Sequence, residues 1–146
     1  MPVYDIETIK VRLSVAEPTG PTGETASKSE DAAAILRPLF ADLSGDQEHV
    51  ILLAVDCRNR VTGFAHICSG GQSGAQADPA IIFRRALMLG AKGIILSHNH
   101  PSGDPSPSRM DLVFTEKLQA GATLLGLNFL DHIILTADGR YKSVLT

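Results

Sequence analysis

The chain of 146 residues is 44% hydrophobic and 20% charged, enough apolar material for one domain and too little length for two of ordinary size. Its formal net charge of −3 comes without a Lys/Arg-rich stripe, which argues against tight binding to a phosphate backbone and leaves DNA without charge support as a partner. No signal-peptide pattern opens the chain, no window approaches the roughly 18 apolar residues of a membrane span, and Cys57 and Cys68 form no Cys-x-x-Cys pair.

A cytoplasmic protein with two buried thiols is the resulting expectation. In chain order, residues 6–15 alternate apolar and polar side chains imperfectly, which predicts a half-buried strand. A Pro/Gly/Thr-rich loop follows over 17–30, so residues 1–28 read as an N-terminal strand and loop ahead of a domain spanning 29–146. Ser27 and Glu30 have capping-box spacing before a helix at 32–40. The apolar run at 50–55 predicts a strand covered on both faces, and a turn at 57–60 leads into a second strand at 61–67. The glycine-rich stretch between Gly70 and Gly74 reads as a surface loop, with an anion-binding nest as the alternative. Asp78 and Pro79 supply an N-cap and first helical residue for a helix at 80–89, stopped by Gly90. A short buried strand at 93–97 runs into His98. After a Pro/Ser/Gly loop, a helix at 108–122 carries Met110, Phe114, Leu118, Ala122 and Leu125 as an inward stripe. Segments 130–135 and 141–145 form a hairpin around Asp138 and Gly139. The pattern is α/β: a mixed central β-sheet flanked by helices.

The chemistry concentrates after the strand at 93–97. His98 and His100 are two apart in extended chain, so both imidazoles can point to one side while Asn99 faces away. Pro101 interrupts the strand, the loop turns back, and Asp111 returns in the first turns of the next helix. Two imidazoles and one carboxylate leave a fourth tetrahedral position open, the arrangement of a catalytic zinc rather than a structural one. Zinc there would bring a bound water to a pKa near 7. Glu48, at the entrance of the buried strand, is the candidate proton shuttle. Ser108 can cap the helix or donate to an oxyanion, and the sequence does not choose.

His98-x-His100, seven residues, Ser108, two residues and Asp111, with Glu48 upstream, match the JAMM signature of metal-dependent MPN domains. The longer string Ser-His-Asn-His-Pro-Ser-Gly from Ser97, together with Phe83-Arg-Arg-Ala-Leu87 and Leu130-Asp-His-Ile-Ile134, resembles the RadC family from about Ser29 onward. The resemblance implies a single JAB/JAMM (MPN) domain related to the cytidine deaminase architecture, with one zinc ion per chain. It implies His98, His100 and Asp111 as metal ligands, Glu48 as general acid/base, Ser108 on the oxyanion side, and hydrolysis of a peptide or isopeptide bond in a protein or peptide substrate. The alternative is a non-catalytic metal-containing module in DNA repair or processing; many RadC proteins add an N-terminal helix-hairpin-helix segment, where this sequence reads as a strand and loop. Zinc deaminase and thermolysin-type motifs are missing from the sequence. His132 can orient a ligand from behind, though a buried Asp131–His132 pair is the plainer expectation. Ser97 is expected to serve packing, and His49 and His66 to be structural or exposed.

Overall fold

The computed structural model describes residues 23–70 and 77–145. The strand expected over 6–15 and the glycine-rich loop residues 71–76 lie outside them. The described elements are α1 (Ser29–Ala41), β1 (His49–Val55), β2 (Val61–Ser69), α2 (Pro79–Met88), β3 (Gly93–Asn99), α3 (Arg109–Leu125), β4 (Asn128–Leu135) and β5 (Tyr141–Ser143). The strands form one mixed sheet in the order β2-β1-β3-β4-β5. β3 and β4 run parallel, and the other neighbouring pairs are antiparallel. Among the described residues, no helix is long and apolar enough to cross a membrane.

The period-two alternation of a strand explains the layering. Ile51, Leu53, Val55, Ile95, Ile133 and Leu135 face α1 and pack with its Ala32, Ala33, Ile35 and Leu36. Val50, Leu52, Ala54, Ile94 and Leu96 face the other way, onto Ile82 and Ala86 of α2 and Leu118 and Ala122 of α3. β1 is therefore buried along its whole length, as its unbroken apolar run requires. Each fully buried Leu or Ile contributes about 1.5–3 kcal/mol.

Several local expectations are corrected. α1 starts at Ser29 and uses neither Ser27 nor Glu30 as a box; the Asp31 carboxylate accepts the Lys28 N–H at 3.2 Å, three residues being the capping distance from the start adopted. On α3, Met110 is 70% exposed and Leu125 44% exposed, because the helix turns its 111–115–118–122 line to the sheet. Cys57 is exposed at the tip of the β1–β2 turn, where the Asp56 carboxylate accepts the N–H groups of Arg58 and Arg60 and holds the turn outward.

α2 and α3 approach closely at Gly121, where an added Cβ would lie 2.6 and 2.8 Å from Phe83 ring atoms. Gly121→Ala is expected to cost about 1 kcal/mol net, overpacking against the Phe83 ring being partly offset by the gain in helix propensity inside α3. A urea unfolding midpoint that drops at unchanged slope checks this.

Candidate metal centre

Three chain ends meet at one edge of the sheet. Val50 pairs with His98, which places the start of β1 beside the end of β3. Glu48 lies just ahead of β1. Asn99 turns its carboxamide away from the imidazoles on either side of it: it accepts the His49 N–H at 2.7 Å and donates to the Gln47 carbonyl at 2.9 Å. That one side chain grips the backbone on both sides of Glu48.

The third contributor is the N-terminus of α3. Ser108 is its N-cap, accepting the Asp111 N–H at 3.1 Å, while the Asp111 carboxylate accepts the Ser108 N–H at 2.8 Å. The reciprocal bonds orient Asp111 toward the histidines, and the helix dipole favours its negative charge there. His100 is anchored by its own N–H to the Leu135 carbonyl at 2.9 Å, which extends the β3–β4 pairing past Asn99.

The side chains converge tightly. His98 Nε2 and His100 Nε2 are 2.9 Å apart. Asp111 Oδ1 lies 3.3 Å from the first and Asp111 Oδ2 3.2 Å from the second. Glu48 Oε1 is 3.7 Å from His100 Nε2. Glu48, His98 and His100 form a group that could hold a metal ion. The four residues expected to share the site are thus brought together, with Asp111 nearer the imidazoles than Glu48. A cavity of about 40 Å³ opens between Glu48, His98 and Asp111 on its polar side and Val50, Leu96 and Phe114 on its apolar side.

The donor set suits a divalent ion. A tetrahedral zinc with bonds of about 2.0–2.1 Å spaces its ligand atoms roughly 3.3 Å apart; here each imidazole Nε2 has one Asp111 oxygen at about that distance, Oδ1 for His98 and Oδ2 for His100, and the two imidazoles stand closer, at 2.9 Å. His100 Nδ1 is 2.8 Å from the Asp104 carbonyl, which only accepts, so that nitrogen carries a proton and Nε2 is the atom a metal would take. Electrostatics favour a positive charge between these groups. Hydrogen bonding to Asp111 raises His100 above its ordinary value despite opposition from burial. Burial acts to raise the Asp111 carboxyl, but hydrogen bonds from His100 and His98 outweigh it and hold the group well below the usual carboxylate range.

The RadC-like JAB domain model matches residues 26–146. The chain belongs to that family. Its relatives include UPF0758 proteins of Methanococcoides burtonii, 40% identical over 80% of this chain and 49% of that protein, and of Methanosarcina mazei, 39% identical over 81% and 50%. A UPF0758 protein of Aquifex aeolicus is 43% identical over 66% of this chain and 42% of its own length. The chain spans about half the length of the curated relatives it matches.

In this RadC-like domain the Asp131–His132 pairing does not form between side chains. Neighbours on a strand face opposite sides. The Asp131 carboxylate accepts the Ser143 hydroxyl at 2.7 Å and the His132 backbone N–H at 2.8 Å, and burial raises its carboxyl above the ordinary value. The His132 ring instead points at His98, with Nε2 2.7 Å from His98 Nδ1, and its Nδ1 lies 2.7 Å from the Thr115 hydroxyl. Sequence reasoning missed Thr115, whose only signal was its place four residues after Asp111 on one helical face. Ser97 does more than pack: its hydroxyl donates to the Ile51 carbonyl at 2.8 Å. His49 is buried, with its ring between Ser44 and Ser69, and His66 stands 3.3 Å from it on the exposed edge strand.

Proposed function

We propose that this RadC-like domain is a zinc-dependent hydrolase of amide bonds, a peptidase or isopeptidase acting on a protein or peptide. The observation that carries the reading is the convergence of two imidazole Nε2 atoms, 2.9 Å apart, on the Asp111 carboxylate, whose Oδ1 and Oδ2 lie 3.3 and 3.2 Å from them, with a further carboxylate oxygen 3.7 Å from His100. His98, His100 and Asp111 would hold the ion. Zinc so held would acidify a water to a pKa near 7 and polarise a substrate carbonyl.

Amide hydrolysis adds water across the C–N bond, the oxygen going to the carbonyl carbon and a proton to the departing nitrogen. Glu48 takes the proton from the attacking water and delivers it to the amine as the bond breaks. The Asn99 grip on Gln47 and His49 fixes the backbone from which Glu48 reaches in. Ser108 accepts the Asp111 N–H, so its hydroxyl proton remains to be donated to the oxyanion. Val50, Leu96 and Phe114 keep the floor of the cavity apolar, which strengthens each of these interactions.

The test is cleavage of a peptide and isopeptide library by zinc-loaded protein, with chelator-stripped protein as control. Zinc-dependent cleavage supports the reading. Stoichiometric zinc with no cleavage, alongside micromolar DNA affinity that falls steeply with salt, would replace it with a non-catalytic module that acts on DNA.

A further inference from the structure

Behind His98 a line of hydrogen bonds runs from β3 through β4 to α3 and ends on Asp111. Its four members are His98, His132, Thr115 and the Asp111 carbonyl, joined at 2.7 Å in each step. The direction of every proton along it can be deduced. A carbonyl only accepts, so Thr115 spends its single hydroxyl proton on the Asp111 carbonyl four residues back. The hydroxyl oxygen is then left to accept from His132, whose proton must sit on Nδ1. His132 is 1% exposed and its ring nitrogens meet the Thr115 hydroxyl and the His98 imidazole, so a second proton there would be a buried charge without a carboxylate against it, and the ring carries that one proton alone. Its Nε2 is therefore a lone pair, and His98 Nδ1, 2.7 Å away, must be the donor. With a proton held on Nδ1, His98 turns Nε2 toward His100 and Asp111, where a metal would take it.

We infer that Thr115 and His132 are positioning residues that hold a proton on His98 Nδ1, so that Nε2 is the atom given to zinc, and that tie His98 mechanically to Asp111. The inference rests on the proposed zinc site and adds to it two residues outside the JAMM pattern. The relay joins two ligands carried on different elements, β3 and α3, so displacement of either is felt by the other.

The sharpest disturbance is Thr115→Val, which keeps the shape and removes the oxygen. The His132 Nδ1–H then has no acceptor in a buried place, and the ring does better with its proton on Nε2. That proton faces His98 Nδ1, which must become an acceptor, and the His98 proton moves to Nε2, where it blocks the metal. Zinc affinity is expected to fall by roughly 10–100-fold. Thr115→Ser, which retains the hydroxyl and loses only a methyl group, should stay within a few-fold of wild type.

The experiment has two readouts, neither of them turnover. Long-range ¹H–¹⁵N NMR of zinc-free protein reads the tautomers of His98 and His132, and competition with a chromophoric chelator reads zinc affinity for wild type, Thr115→Val and Thr115→Ser. Expected are Nδ1–H on both rings in wild type and a loss of affinity confined to the valine variant. His98 found without a proton on Nδ1 in wild type overturns the inference, as does a serine variant that falls as far as the valine one. If the valine variant does not fold, the wild-type tautomers and the serine variant still decide. Wild type that takes up no zinc refutes the metal site itself, whereas zinc-binding wild type with an equally tight valine variant refutes the relay alone.

Discussion

Glu48→Gln is expected to keep its zinc and lose turnover by roughly 10²–10⁴-fold, the usual range for a positioned proton-transfer group. Glutamine has nearly the same shape, and the Asn99 bonds to Gln47 and His49 hold the backbone in place whichever side chain is present. What changes is the ability to accept a proton. Metal content by mass spectrometry, set beside cleavage of a substrate from the library, measures both halves of the expectation. The measurement also separates two ligand assignments, since Glu48, His98 and His100 lie close enough to form a metal site by themselves. Loss of zinc on this substitution would move Glu48 from proton carrier to ligand.

The complementary experiment removes the other carboxylate's charge. Zinc at a hundred times its dissociation constant stabilises the folded chain by about 2.7 kcal/mol, a rise in melting temperature of roughly 10 °C for a domain near this size. Asp111→Asn should abolish most of that rise. Its amide oxygen can still accept the Ser108 N–H now bonded at 2.8 Å, so the α3 cap survives, and at a pH above the elevated His100 value, where that proton no longer contributes, the metal-free variant should melt close to wild type. An undiminished zinc shift in this variant would exclude Asp111 from the ligand set.

The pH dependence has opposite signs with and without the metal. His100 stands above its ordinary value of 6.5 in the folded, metal-free chain, chiefly through Asp111. Its contribution to metal-free stability is therefore full below 6.5 and lost as pH rises through the elevated value. Zinc competes with that same proton, so the gain from zinc grows over the window in which the proton's contribution fades.

How much could be read in advance depended on distance along the chain. The His-x-His pair and Asp111 sit within one strand, loop and helix start, where two-residue alternation and a capping box suffice to bring them together. Both faces of the sheet were likewise implied by the apolar run of β1. Glu48 was a candidate from its place at the entrance of the buried strand and a firmer one by resemblance, because its position beside the imidazoles depends on the Val50–His98 register between strands remote in sequence. The His98–His132 contact depends further on the parallel pairing of β3 with β4, which slips between Ile94 and Ile95 and sets Leu96 opposite His132. Without that slip in view, Asp131 was the obvious partner for its neighbour. Met110 and Leu125 fit the helical period but not the phase that docking against the sheet selects.

The Asn99 grip on the start of β1 has a kinetic meaning as well. It joins residues 50 apart in the chain, and the His98–His132 bond joins residues 34 apart, so the pocket exists only after the sheet has closed. A zinc finger whose ligands are near neighbours can recruit its ion early and fold around it. Here a cation would arrive at a finished receptacle, as cargo to a berth already built, and its withdrawal and return would not require the chain to find its shape again.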